Sequence, residues 1–472
     1  MRCASGRSIP GTISTVRSKR PAFGRQRTMV SQGATNEPSR MAPVRREPSR
    51  LSTTTTPSPP RCRVRTPAIE RRARSASAAT QSARGAWSAA PSGIAATSAS
   101  VASAAAARSE SAAPLYLNSQ HTASTLSFMS SWLSFLASRG ARLTAESVAD
   151  FGEPAAEIAA TLQGTILVDL SHNALLSITG DDAGAFLHAQ LTNDVQSLPV
   201  GAAQWNGWCT AKGRLLATFL LARREDGFLL MLPAEIAPGV TKRLAMYVLR
   251  SKVKIADISL ERVRMGFAGK SAGVIAARHF GHTPDPMRSV DKDGATCIAL
   301  DAERFVMLVP PESAPRLWDA LSQNARQAGA DAWELSLIHA GVPTVTAATQ
   351  EEFVPQMANF DLIGGLSFKK GCYPGQEIVA RTQYRGILKK RMARVHLAGE
   401  ARPMPGQSVY SSAFGDQAAG TLVNVAPSPD GGFDALVVAQ LEGLARGDLR
   451  WSSPDGTPLE IRAQPAATAD AS

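Results

Sequence analysis

Apolar positions fall into a readable period only from about residue 130 onward. Helical spacing predicts helices over 131–138 and 144–162, and β-branched, alternating runs predict strands at 165–169 and 174–179. Gly180-Asp181-Asp182 is a helix-start signal, and Ala183, Phe186, Leu187 and Leu191 follow on one face. Three strands at 204–210, 214–222 and 228–232, joined by Ala211-Lys212-Gly213 and by residues 223–227, read as an antiparallel meander. A helix over 236–250 closes this block. The texture repeats with strands at 252–256 and 261–266, a helix at 272–279, strands at 296–300 and 305–309, and a helix at 314–328. A short helix at 333–340 is halted by Gly341-Val342-Pro343.

From Met392 the pattern shifts to short strands, at 394–397, 407–411, 418–425, 435–440 and 459–463, separated by Gly, Pro and Asp. That is the pattern of a small barrel. The expected fold class is therefore α+β: two mixed α/β modules with mainly antiparallel sheets, then a C-terminal β-barrel. The expected domains are a disordered basic extension at 1–128, an α+β region at 129–390 and a barrel at 391–466.

The first 125 or so residues are rich in Ser, Ala, Arg, Thr and Pro and carry no hydrophobic period, so they cannot bury enough apolar surface to offset ordering entropy. Disorder is expected there. Three readings of the tract stay open: an upstream extension with Met129 as the working start, an organellar transit peptide, or an RNA-binding tail. The net charge of +12 belongs to this tract. Residues 1–128 hold 19 Lys and Arg against four acids, whereas the remaining 32 bases and 35 acids leave residues 129–472 at −3. The high overall charge is thus no argument for a nucleic-acid-binding body, and direct tRNA binding is not expected.

The five cysteines (Cys3, Cys62, Cys209, Cys297 and Cys372) form no CxxC pair, which excludes the common disulfide and zinc frameworks and suits a reducing compartment. The longest apolar run, 215–222, is strand-sized, so no stable membrane association is expected. The expected location is cytoplasmic, or mitochondrial if the tail is a transit peptide.

The densest chemistry lies at 367–386. Cys372 stands between Gly371 and Tyr373 with Lys369 and Lys370 just upstream, and nearby cations favour a thiolate. Pro374-Gly375 is a turn signal, and 376–381 reads as a short helix with Glu377 and Arg381 four apart in the favourable acid-first order. A thiol at the start of that helix would also meet its N-terminal dipole. The alternative is a buried structural cysteine in a glycine-rich bend.

These residues carry a family resemblance. The run Phe368-Lys369-Lys370-Gly371-Cys372-Tyr373-Pro374-Gly375-Gln376-Glu377, with Ala380-Arg381 and Arg385-Gly386, resembles the signature of the YgfZ-type folate-binding proteins, relatives of the glycine cleavage aminomethyltransferase. Ile178-Thr179-Gly180-Asp181, Gln190 to Val195, Ala211 to Arg214, Ser251-Lys252-Val253 and Phe353-Val354-Pro355-Gln356 agree in order and spacing. The resemblance covers residues 165–465 and implies two α/β modules and a barrel around a central tetrahydrofolate site. It also implies a role in assembling or repairing iron-sulfur proteins, with cluster-dependent tRNA-modifying enzymes among the clients.

A folate needs an aromatic platform, a polar group for the pterin edge and cations for the glutamate tail. Trp333, Gln356, Glu377 and Arg381 (or Arg385) are the candidates; a second tryptophan that the family carries is Asn173 here. The competing reading makes Trp333 a core anchor and Arg381, Arg385, Lys389, Lys390 and Arg391 a solvated basic face. The acidic pair that the aminomethyltransferases carry after the glycine equivalent to Gly213 is absent from Arg214-Leu215-Leu216-Ala217-Thr218, and His339 stands where they carry a glutamate. The expected function is therefore a folate-binding accessory protein, and the alternative a folate-dependent one-carbon transferase. Expected cofactors are tetrahydrofolate or a one-carbon derivative. A transient iron-sulfur cluster contact is placed at Cys372, shared with partner iron-sulfur enzymes or assembly factors, because one thiolate cannot hold a four-iron cluster.

Overall fold

The structure, a computed structural model, describes residues 123–145, 147–384 and 388–464. The expected disorder of the N-terminal tract falls on residues outside this set up to 122. Helix α1 (Ala123–Ser138) begins ahead of Met129, so the tract is helical before the expected boundary. The helix expected over 144–162 is two elements. Strands β1 (Arg142–Leu143) and β2 (Val148–Asp150) form a hairpin, and α2 (Pro154–Gln163) starts at a proline, which fits the first turn of a helix but not its interior. Arg142 grips Asp150 with two bonds of 2.6 and 2.7 Å across that hairpin.

Strand β3 (Thr165–Asp169), buried at every position, and β4 (Asn173–Thr179) are consecutive in sequence but belong to different sheets. After α3 (Ala183–Gln190) come the meander strands β5 (Ala203–Cys209), β6 (Leu215–Arg224) and β7 (Gly227–Pro233), helix α4 (Ala237–Val248) and strand β8 (Lys254–Asp257). These strands make a five-stranded antiparallel sheet in the order β5-β6-β7-β4-β8.

The second block holds β9 (Val263–Gly269), α5 (Ala272–Phe280), β10 (Ser289–Lys292), β11 (Ala295–Ala299), β12 (Arg304–Val309), α6 (Ala314–Ser322), β13 (Arg326–Ala328) and α7 (Ala330–Ala340). Its six-stranded sheet runs β10-β11-β12-β9-β3-β13, with β13 parallel to β3. The helix expected over 314–328 is cut short at Ser322, because Arg326 to Ala328 find backbone partners on β3. Beyond α8 (Gln376–Tyr384), β14 (Lys390–Leu397), β15 (Ser408–Tyr410), β16 (Gly420–Pro427), β17 (Phe433–Gln440), β18 (Arg450–Trp451) and β19 (Thr457–Ala463) close a six-stranded barrel, with α9 (Leu441–Arg446) inserted after β17. The sequence pattern had missed β18 and α9. Both are too short to show a period.

One core joins these parts. Val168 of β3, Leu175 of β4, Leu220 of β6, Val306 of β12, Trp333 of α7 and Val438 of β17 belong to a single buried cluster, so both sheets, α7 and the barrel share an interior. The apolar cavity between the sheets, bounded by Leu175, Leu220, Met231 and Val306 among others, holds about 10 Å³, room for roughly one water. Among the described residues no helix is long and apolar enough to cross a membrane.

Candidate functional site

The two lysines before Cys372 have different fates. Lys369 is exposed, whereas Lys370 is 8% exposed and sends its ammonium inward to the backbone carbonyls of His188 and Leu191 at the C-terminal end of α3. A cation is favoured at that end of a helix. The ammonium also lies 4.8 Å from the centre of the Tyr373 ring. Burial brings Lys370 down to about 8, opposed by the charges of Asp194 and Cys372. Lys370 is thus a buried tether beneath the loop.

The turn that follows is fixed by glycine. Gly375 has φ +80°, and a Cβ there would stand 2.4 Å from the Thr210 carbonyl and 2.5 Å from Gly213 N and Cα. Only a residue without a side chain lets the Cys372 loop press backbone to backbone on the β5–β6 turn. The Gly375 carbonyl then accepts from the N–H groups of Ile378 and Val379 and so opens α8. Tyr373 is buried with Leu366 and Val379, and burial pushes its phenol up. Gln376 Nε2 reaches the Lys370 carbonyl at 3.5 Å.

Cys372 itself is exposed, which settles its position against the buried-cysteine reading. It precedes α8 by four residues, so the thiol stands ahead of the helix rather than in its first turn. Cys209 and Cys297 are buried, and burial pushes both thiols up, Cys297 to about 12. Cys372 is the exposed thiol among the described residues. Among those residues no group of three or more His, Cys, Asp and Glu side chains is placed to hold a metal.

A second motif braces the loop. Thr192 Oγ1 donates to the Gly365 carbonyl at 2.7 Å and accepts from Gly207 N, while the Thr192 carbonyl takes Ser367 N. Asn193 Nδ2 spans the Trp205 and Gly364 carbonyls at 3.1 and 2.7 Å. Asp194 accepts from Ser197 and lies 3.1 Å from His188 Nδ1. The Leu-Thr-Asn-Asp run is therefore scaffold for residues 364–370.

The folate candidates divide. Gln356 is buried and donates from Nε2 to the Val379 carbonyl of α8 at 2.7 Å, while its Oε1 has no hydrogen-bond partner among the described residues. Glu377 and Arg381 are exposed on α8 and form no ion pair with each other. These three gather around one helix. Trp333 does not join them: it is 2% exposed, and its ring lies so close over Gly266 of β9 that a Cβ there would stand 2.6 Å from it. Its position is that of a core anchor. Trp205, which no motif marked, is half-buried at the margin of the same core, beside Asn193. β5 shows no burial alternation (203 and 206–209 are buried, 204 and 205 half-buried), so the pattern of the strand carries no signal for it.

Arg385 and Gly386 lie outside the described residues. Arg391 is not part of a solvated face: it grips Asp361 with bonds of 2.6 and 2.8 Å and donates to the Gln356 carbonyl at 2.8 Å, tying the barrel's first strand to the Gln356 loop. Lys389 is exposed and Lys390 half-buried. His339 is bonded to Asp434 of β17 at 2.7 Å, and His396 to the other oxygen of Asp434 at 2.8 Å. Arg394 contacts the far nitrogen of His339. Burial works against the Asp434 charge, but the two histidines outweigh it and hold the carboxyl below its usual range. His339 thus belongs to the joint between α7 and the barrel. Strand β6 carries no carboxylate, and its Thr218 hydroxyl is engaged with the 343–345 backbone.

Residues 133–287 match the GCVT N-terminal domain family. The chain is 35% identical over 246 residues to the tRNA-modifying protein YgfZ of Cronobacter sakazakii, a match spanning 52% of this chain and 74% of that protein. It is 32% identical over 310 residues to the tRNA-modifying protein YgfZ of Serratia proteamaculans, spanning 64% of this chain and 93% of the relative. Among solved structures, the glycine cleavage system aminomethyltransferase T from Bartonella henselae superposes with a TM-score of 0.61 at 15% identity, covering 71% of this chain and 96% of that one. That likeness is one of fold.

Proposed function

The chain belongs to the YgfZ family, and from that premise we propose that it is a folate-binding protein that supports tRNA modification by assisting the assembly or repair of iron-sulfur enzymes. The observation that carries the reading is the exposed Cys372 on a loop that Lys370, Gly375 and Thr192 hold from three sides. A thiol on a fixed loop can meet a partner's cluster repeatedly in one geometry, and one thiolate suits a brief, shared contact rather than storage. The cluster is cargo, held mainly by the partner. The chain acts in a reducing compartment, which we take to be the cytoplasm.

The folate assignment fits the polar groups around α8. A pterin edge presents N–H donors, and Gln356 Oε1 is a buried acceptor without a hydrogen-bond partner among the described residues. Arg381 is exposed on α8 to receive the anionic tail, with Glu377 one turn before it. Trp333 is enclosed in the core, and we propose the half-buried Trp205, beside Asn193, as the ring for the flat group. The apolar cavity between the sheets, at about 10 Å³, is too small to admit a folate.

Titration of the full chain with tetrahydrofolate tests the assignment. Gln356→Ala should weaken binding roughly tenfold, about 1.4 kcal/mol, and Arg381→Ala should weaken polyglutamylated folate more than the monoglutamate. Cys372→Ala should bind as wild type does. Folate binding that ignores both α8-side substitutions would refute the placement. Turnover of glycine-derived aminomethyl groups by the purified chain would refute the accessory role and make the protein a transferase.

A further inference from the structure

The C-terminal end of α4 combines features that neither the fold nor the Cys372 site uses. Met246 is 62% exposed, Tyr247 44% and Leu249 88%, three large apolar side chains within four residues. Leu249 has φ +47° and ψ −105°, a positive-φ conformation that a residue with a side chain adopts at a cost, and its side chain is spent in solvent rather than in the core. Around them stand Lys242, Arg243, Arg250, Lys252 and Lys254, with no carboxylate anywhere in 236–256. Two of these cations have acidic neighbours: Arg243 lies 3.9 Å from Glu351, and Lys252 lies 3.0 Å from Asp181. Lys242, Arg250 and Lys254 have no ion-pair partner among the described residues. The last turn of α4 itself carries no basic residue, so the helix dipole does not account for these cations.

The patch is connected to the thiol loop by packing. The Tyr247 ring stands edge-on to Trp208 at 6.5 Å, and the Arg243 guanidinium lies 5.8 Å from that same ring. Trp208 bridges to Leu191, whose carbonyl receives the Lys370 ammonium under Cys372. On the other side Glu351, beside Arg243, donates its backbone N–H to the Leu215 carbonyl at the base of the turn on which Gly375 rests.

We propose that the end of α4 is the docking surface for a protein partner with an apolar pocket ringed by acidic residues, which it brings beside Cys372. Charge complementarity selects the partner's sign. The apolar residues select protein over RNA: Met, Tyr and Arg are the types enriched at protein interfaces, whereas Met246 and Leu249 give a base nothing to stack on.

The test uses the full chain and a fluorescent helical peptide of about 16 residues with Leu and Phe on one face and Glu on the other. Its Lys-for-Glu counterpart and an unmodified tRNA transcript serve as competitors. The acidic peptide should bind, more weakly as salt rises, and Leu249→Ser and Arg250→Glu should each reduce binding about tenfold. Val274→Ser, at an exposed apolar residue on α5, should leave it unchanged. Because all three positions are exposed, the variants should fold. Peptide binding that is absent or indifferent to Leu249 and Arg250, or displacement of the peptide by the tRNA transcript at these same residues, would overturn the proposal.

Discussion

Gly375 and Gly213 meet backbone to backbone: a Cβ on Gly375 would come within 2.5 Å of the Gly213 N and Cα. Both residues have positive φ, +80° and +71°. This contact seats the Cys372 loop on the β5–β6 turn and makes the site a product of two segments about 160 residues apart.

Gly375→Ala should therefore displace the loop. The expected signature is faster proteolysis within 367–384 with the barrel and both sheets intact, since the strain falls on a surface turn. Gly371→Ala is the contrast, because its Cβ would meet nothing nearer than His188 Nε2 at 3.7 Å. Limited proteolysis of the two variants decides it, and equal cleavage would show that the glycine contact does not hold the loop.

Lys370 gives a pH test. Its folded value of about 8 lies below the ordinary lysine value of 10.5, so between these the unfolded chain holds more protons than the folded one. Stability from this group should thus rise as pH climbs from about 8 toward 10.5. Lys370→Met removes the rise, and the wild-type advantage over the variant should grow by about 1–2 kcal/mol between pH 7.5 and 10. Thermal unfolding at the two pH values measures it. A pH-independent difference would mean that the ammonium is not buried.

Glu334 of α7 titrates in the opposite sense. Burial, then the neighbouring Asp331 charge, push it up to about 7, against the Asn424 hydrogen bond and Arg402. Its folded value lies above the ordinary 4.5, so the folded chain holds the extra proton and stability falls as pH rises from about 4.5 through 7. Glu334→Gln should remove that fall and leave the variant more stable at pH 8 by up to about 3 kcal/mol. Unfolding curves at pH 5 and 8 would separate this from a uniform effect.

The fold was legible where periods were long. The meander β5–β7, helix α4 and the barrel strands lie close to where alternation or helical spacing put them. Local pattern misled where tertiary pairing decided: residues 326–328 continue a helical spacing but join β3 as a parallel strand, and 142–150 form a hairpin before a proline-started helix. In the site, the motif marked Lys370 and Gly375, whose types are demanded by the α3 carbonyls and by the close backbone contact, and it marked Cys372, which is exposed. Composition could not show that Lys370 points inward while Lys369 points out, since two adjacent lysines read alike. Trp333 drew notice as an aromatic, yet its ring is claimed by Gly266; Trp205 went unmarked because it lies outside every conspicuous motif.

The central claim is that the exposed Cys372 thiol acts on iron-sulfur clients. Its most direct measurement is the activity of a cluster-dependent tRNA-modifying enzyme in a strain lacking this chain, after supply of wild type, Cys372→Ala or Cys209→Ala. The account predicts that Cys372→Ala, folded and able to bind folate, fails to restore activity while Cys209→Ala restores it. Full restoration by Cys372→Ala would contradict the account and reduce the thiol to a structural residue.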